Sequence, residues 1–229
     1  MATSSRIGMR REFFVIAAVC LAVSIGQLAW AGGIGSTAPS AGKGEYAELV
    51  ARMKSGETQV DYRALREAYA ASPGYDPYAM KVQAMIGMMV DAANAGDCDK
   101  ALDLAKRITD IDFVQIDAHT VADFCYHQRK DAKRAAFHHA VALGLLRSIA
   151  ASGDGKSPAS AFVVVSMDEE YAMIHTLGLH VDQQALVNAN GRSYDRLAVT
   201  TLDGRHVSIY FDVSRPFRSL EKQFGGTKK

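Results

Sequence analysis

The chain has 229 residues, 48% of them apolar, and a formal charge of +1. That apolar content suffices for one large or two small domains. The near-neutral balance leaves no basic field for nucleic acid and no basic run to hold the chain on an anionic membrane.

Residues 1–11 carry Arg6, Arg10 and Arg11 and no acid, and an apolar run follows from Phe13 to Leu28. This is the layout of a secretory signal. As a helix the run would rise only about 24 Å, short of the roughly 30 Å hydrocarbon core, which argues against a retained anchor. Ala29-Trp30-Ala31 puts small residues where a signal peptidase reads them, so residues 1–31 are predicted to be a signal peptide. The mature chain would begin at Gly32, periplasmic or secreted, without a transmembrane segment. Cys20 does not mark a lipoprotein, because Val19 stands where a small residue is needed. Arg10-Arg11-Glu12-Phe13-Phe14 resembles a twin-arginine signal, but Met9 replaces the usual hydroxyl residue, so the export route stays open. Three arginines and one glutamate leave with the leader, which takes the formal charge from +1 to −1.

Residues 32–44, rich in Gly, Ser and Ala, read as a flexible leader. From 45 to 152 an Ala-, Leu- and Met-rich sequence predicts a helical domain. Its helices fall at 45–54, 61–71, 77–95, 98–109, 114–128 and 132–150, punctuated by Gly56, Ser72-Pro73-Gly74, Gly96 and Asp110-Ile111-Asp112. In the fifth, Val114, Ala118, Val121, Ala122 and Cys125 share one face. Asp97, Lys100 and Ala101 recur 34 residues later as Asp131, Arg134 and Ala135. Thirty-four is the tetratricopeptide period. The match is short and lacks the Trp and Gly-Tyr signatures, so it predicts tetratricopeptide-like hairpins, with an irregular bundle as the alternative.

Residues 153–229 predict a small α/β domain: a strand at 161–166, a helix from Asp168 to Leu177 begun by an acidic cap, strands at 179–188, 193–201 and 205–212, and a helix at 216–224. Asp203-Gly204 signals a type I′ hairpin. Alternation of His206, Ser208, Tyr210 and Asp212 with Val207, Ile209, Phe211 and Val213 predicts one wet and one buried sheet face. The fold class is therefore α+β: tetratricopeptide-like helical hairpins followed by a β-α-β-β-β-α antiparallel-sheet module.

The run Asp61-Tyr62-Arg63-Ala64-Leu65-Arg66-Glu67-Ala68-Tyr69, then Tyr75-Asp76-Pro77-Tyr78, then Asp154-Gly155-Lys156-Ser157-Pro158 leading into Ala161-Phe162-Val163-Val164, carries a resemblance. So do Asp168-Glu169-Glu170-Tyr171, Ser193-Tyr194-Asp195 and Tyr210-Phe211-Asp212. Over most of the mature chain it resembles an uncharacterised family of secreted bacterial proteins, classed as a domain of unknown function, with tetratricopeptide-like helices. The resemblance implies export and the domain boundaries and transfers no site.

No motif demands a particular chemistry. Gly155-Lys156-Ser157 is no phosphate loop: Ala150 stands where its first glycine belongs, and the segment precedes a strand instead of opening a helix. Among His119, His127, His138, His139, His175, His180 and His206 no pair has the spacing of a helical metal site, so no metal and no cofactor are expected. Glu169 and Glu170 could be paired carboxylates, but acids in a first helical turn are favoured by the helix dipole alone. Ser157, Ser160 and Ser166 lack a nucleophile-elbow setting.

Two clusters remain. Tyr62, Arg63, Arg66, Tyr69, Tyr75 and Tyr78 crowd one segment with the composition of an interaction surface, although the same spacing would serve helix packing. Cys98 and Cys125, the cysteines left after the leader, flank the predicted turn at Asp110-Ile111-Asp112 symmetrically. In an antiparallel helix pair they stand at equal height, which predicts a disulfide. The resulting expectation is a non-catalytic module that binds a protein or peptide in the cell envelope. The alternative is a secreted enzyme with its site on the sheet module, for which Asp168, Glu169 and His175 are the candidates.

Overall fold

The computed structural model describes residues 44–224, with side chains through Glu221. The predicted signal peptide and all of the predicted leader except Gly44 lie outside the described residues. Eight α-helices and four strands are described: α1 (Glu45–Lys54), α2 (Tyr62–Ala71), α3 (Gln83–Asn94), α4 (Cys98–Ile111), α5 (Ile116–Gln128), α6 (Ala132–Ala150), β1 (Phe162–Val163), α7 (Met167–Thr176), β2 (His180–Ala189), β3 (Arg192–Thr200), β4 (His206–Asp212) and α8 (Ser214–Phe224). The chain is α+β, helices first and a sheet after them.

The 34-residue echo is a repeat of backbone geometry. Asp97 and Asp131 cap α4 and α6 identically, their carboxylates accepting from Lys100 N–H at 3.1 Å and Arg134 N–H at 3.0 Å. The turns before them match bond for bond: Asp97 N–H reaches Ala92 O as Asp131 N–H reaches Tyr126 O, and Gly96 N–H reaches Ala93 O as Lys130 N–H reaches His127 O. Ala101 and Ala135, the small residues that let each second helix approach the first, are wholly buried. Successive helices α3 to α6 pack on one another, and α3 also touches α5, as in stacked hairpins. Cys98 and Cys125 are disulfide-bonded with Cα atoms 5.3 Å apart, joining α4 to α5.

The helix predicted from 77 starts at Gln83. Residues 76–82 instead form turns, held by Lys81 N–H on Asp76 Oδ2 at 2.9 Å and docked to α7 through Met167 N–H on Pro77 O at 2.9 Å.

The sheet has the order β1-β4-β3-β2 and is mixed, because β1 runs parallel to β4. The predicted strand at 161–166 shrinks to two residues. Val164 and Val165 are buried; Val164 N–H still reaches Asp212 O at 3.4 Å, but Val165 N–H donates to Glu169 Oε2 at 2.8 Å and Val165 O accepts from Tyr75 Oη at 2.6 Å, so at Val165 side chains replace the ladder. The two-residue turn of the hairpin is Asn190-Gly191, with φ of +51° and +72°, between β2 and β3. Asp203-Gly204 sits instead in a five-residue loop from Thr201 to Arg205, closed by Gly204 N–H on Thr201 O. Asp212 is not on a wet face: it is 4% exposed, caps α8 through Ser214 N–H at 3.0 Å and pairs with Arg192. Phe211 and Val213 are wholly buried, as the alternation predicts, whereas Val207 is 39% exposed where the strand runs out past the core.

One apolar cluster crosses the boundary at 152/153, joining Met53, Leu65, Leu145 and Ile149 to Val164, Ile174, Leu197 and Phe211. A second lies within the hairpins, around Met89, Leu104, Ile108 and Cys125. Where α2 crosses α6 a side chain is missing by necessity: a Cβ on Gly144 would fall on the Tyr62 ring, whose hydroxyl is tied to Thr58 O at 2.9 Å. Gly144→Ala should therefore cost about 1–3 kcal/mol by overpacking, although alanine is the better helix former. Gly87→Ala, in α3 with nothing within 4 Å, should gain up to about 1 kcal/mol. Urea unfolding of the two variants checks the pair, and equal effects would remove the steric account.

Candidate functional site

Three consecutive acids open α7, and successive helical residues diverge by about 100°, so each reaches a different element. Ser166, not Asp168, occupies the N-cap position, without a side-chain bond. Asp168 faces α5, its Oδ2 accepting from Gln115 Nε2 at 2.9 Å. Glu169 faces α2. Glu170 faces β3.

The Glu169 contact is a buried ion pair, both side chains under 5% exposed. Arg66 Nε donates to Oε1 at 2.7 Å and Nη2 to Oε2 at 2.6 Å; Nη2 also reaches Val163 O at 2.8 Å and Nη1 Ser148 Oγ at 3.2 Å. The planar fork matches the carboxylate and spends its spare donors on β1 and α6. One guanidinium thereby ties α2, α6, α7 and β1 together.

Glu170 has no such partner. It is wholly buried, and neither carboxyl oxygen finds a donor. Burial, with the neighbouring Asp195 and Glu169 carboxylates, pushes its pKa up to about 9, so it carries a proton at neutral pH. Asp195, 4% exposed, is also raised by burial; its Oδ2 accepts from Gln184 Nε2 at 2.7 Å, and Gln184 Oε1 accepts from Tyr171 Oη at 2.8 Å. The Tyr78 hydroxyl, influenced by both acids, is buried and unpartnered. Behind α7 Asp112 lies buried and Asp168 half-buried. Burial raises Asp112 to about 7, against the opposing bonds from Tyr69 and Val114 N–H. It raises Asp168 to about 6, against Gln115, with Asp117 and Asp76 adding to the rise.

The six residues of the Tyr/Arg segment separate. Arg63 points to solvent and pairs with Glu67 at 3.0 Å. Arg66 is the buried strut. Tyr69 is 1% exposed, packed between a tilted Tyr46 and an edge-on Tyr75 with its hydroxyl on Asp112 Oδ2 at 2.9 Å. Tyr62 and Tyr75 are half-buried with their hydroxyls on backbone carbonyls, and Tyr78 is half-buried beside Glu170 and Asp195. The crevice by Tyr69, Asp76, Lys81 and Asp112 has no room for even one water molecule, against the roughly 300 Å³ or more of ligand pockets. His175 is exposed on α7 and acts on Asp117.

Among the described residues no group of three or more His, Cys, Asp or Glu side chains could hold a metal ion, and no helix is long and apolar enough to cross a membrane. His119, wholly buried, is neutral: burial lowers its pKa to about 3, Nε2 donates to Phe113 O at 2.8 Å, and Nδ1 accepts from His138 at 3.0 Å.

The model of a family described as a domain of unknown function (DUF4919) matches residues 40–222. The chain belongs to this family. The DUF4919 match takes in both the helical stack and the sheet, in keeping with the apolar cluster they share. No curated protein and no solved structure matches the chain.

Glu170 and Asp195 are the pair that a spacing search passes over. Asp195 could have been noticed: it shares its strand face with Leu197 and Val199, and an acid on the apolar phase of a strand must be buried.

Proposed function

We propose that the chain is an exported, non-catalytic module that binds a protein or peptide in the cell envelope, and that its binding face is the outer side of α3. The observation that carries this reading is exposed apolar surface at the start of the stack: Met80, in the turn before α3, is 64% exposed, and on α3 itself Met88 is 45% and Val90 37% exposed. α3 holds a single charged residue, Asp91, so its solvent side lacks the charges a merely solvated helix carries. Methionine suits such a face, because an unbranched, polarizable side chain repacks against partners of different shape. Of the Tyr/Arg segment, Arg66 and Tyr69 are buried and Tyr62, Tyr75 and Tyr78 half-buried, which favours α3 over α2 for the binding role.

A photo-crosslinking residue at Met88 in the native host should capture a discrete adduct that the same residue at Lys133, exposed on α6, does not. Met88→Asp should reduce complex formation at least about tenfold, a 1.4 kcal/mol loss. Identical, diffuse adducts from both positions would refute the α3 face. The captured protein should begin at Gly32, and an intact Met1 would refute export.

One observation favours the enzyme alternative: the protonated, unpartnered Glu170 beside Asp195, an acid and a base on the sheet side. Esterification of Glu170 by a diazo reagent in the native protein, faster than an exposed carboxylate, would bring that reading forward.

A further inference from the structure

Among the described residues the sheet leaves one long edge without a partner. β2, ten residues long, is the last strand in the order β1-β4-β3-β2. The opposite edge, β1, is two residues long, and its Val163 N–H is taken by Ser152 Oγ at 2.8 Å. Folded proteins blunt free edges with lysine, proline or a bulge. β2 has a bulge between Val181 and Gln183, but beyond it the run 183–189 contains neither a charge nor a proline. Its central residue, Leu186, is 45% exposed. Leu186 shares a sheet face with Gln184, over which Tyr171 lies, 36% exposed. The free edge is thus flanked by exposed apolar surface.

We propose that β2 pairs antiparallel with β2 of a second copy of this chain, about a two-fold axis at Leu186, joining two four-stranded sheets into one of eight. Charge selects this occupant and this direction. The titratable groups of β2, His180 and Asp182, lie at one end. Antiparallel pairing sends the two Asp182 side chains to opposite ends, each level with Asn190 of the other copy, whereas parallel pairing would set them side by side. With the axis at Leu186, leucine meets leucine, Gln184 meets Asn188, and Ala185 meets Val187: apolar on apolar and amide on amide. The inner five residues, 184–188, match in character about Leu186, and only at the ends of the run does an amide, Gln183, meet an apolar residue, Ala189, so a second copy satisfies the centre of the edge by two-fold symmetry. Such a contact closes on itself and yields a dimer, not a fibre.

Sedimentation of the full mature protein across the micromolar range should show a concentration-dependent dimer, and Leu186→Lys should weaken it at least about tenfold. In the mature chain, without Cys20 of the leader, Cys98 and Cys125 are bonded to each other, so Leu186→Cys would carry a lone thiol. Cα atoms facing across an antiparallel pair stand about 4.5–5.5 Å apart, within disulfide reach. Mild oxidation should therefore cross-link Leu186→Cys between copies far faster than Leu202→Cys, whose site is 85% exposed in the β3–β4 loop. A monomer at every concentration would leave the edge to a foreign strand or to water and overturn the proposal. A dimer indifferent to Leu186→Lys, with equal cross-linking at both sites, would overturn it too.

Discussion

Arg66→Ala is expected to lose about 3–5 kcal/mol of stability, because it strands the wholly buried Glu169 without a counter-charge. Against a typical total of roughly 5–15 kcal/mol, that loss leaves little margin. It also removes the donors to Val163 O and Ser148 Oγ, so β1 and α6 lose their shared tie to α2. Arg66→Lys keeps the charge but not the fork and should fall between. The double replacement Arg66→Met with Glu169→Leu removes both charges and should recover most of the loss, since a buried pair is often no better than apolar residues of similar volume. Urea denaturation of the four proteins tests the account: if Arg66→Ala costs under about 1 kcal/mol, the ion pair does not hold the two halves together.

The second large effect concerns pH. Glu170 keeps its proton up to about pH 9 in the folded chain but ionises near its ordinary value of 4.5 once unfolded. Between those values the unfolded state has released a proton that the folded state retains. Stability therefore falls as pH rises through that window, by about 1.4 kcal/mol per unit, reaching on the order of 3 kcal/mol at pH 7. Asp168 and Asp112, raised to about 6 and 7, add slopes of the same sign that end near those values. The protein should thus be more stable in mild acid than at neutral pH, the reverse of a chain whose carboxylates are ion-paired. Glu170→Gln keeps the shape, cannot ionise and removes one of these slopes. It should melt roughly 10 °C above the parent at pH 8 and close to it near pH 4.5. Parallel stability curves for the two proteins from pH 4 to 9 would mean that Glu170 ionises in place.

Much of the architecture was legible because it rests on local rules. Helix-period apolar faces and the Gly and Pro breaks between them act over three to five residues at a time, and α1, α2, α4, α5 and α6 follow them to within a few positions. The misread stretches are those where distant groups intervene. Residues 77–82 keep helical composition but are drawn out of the helix by the contact of Pro77 O with α7. Residues 164–165 read as strand, but Val165 gives its backbone groups to Glu169 and Tyr75.

The candidate sites divide the same way. By itself the sequence determined the α+β class, the order of helices before sheet, and the crowding of tyrosine, arginine and acid into two short segments. It could not say which way each side chain turns, because a helical face is defined only by what packs against it. Arg63 and Arg66 differ by one turn of α2, yet one is solvated and the other buried against Glu169. Glu169 and Glu170 are neighbours, yet one is ion-paired with Arg66 while the other has no cation and faces the acid Asp195, which holds its pKa up. Those assignments belong to the tertiary structure, since burial and the partner across the interface, not residue type, set the free energy of a charge.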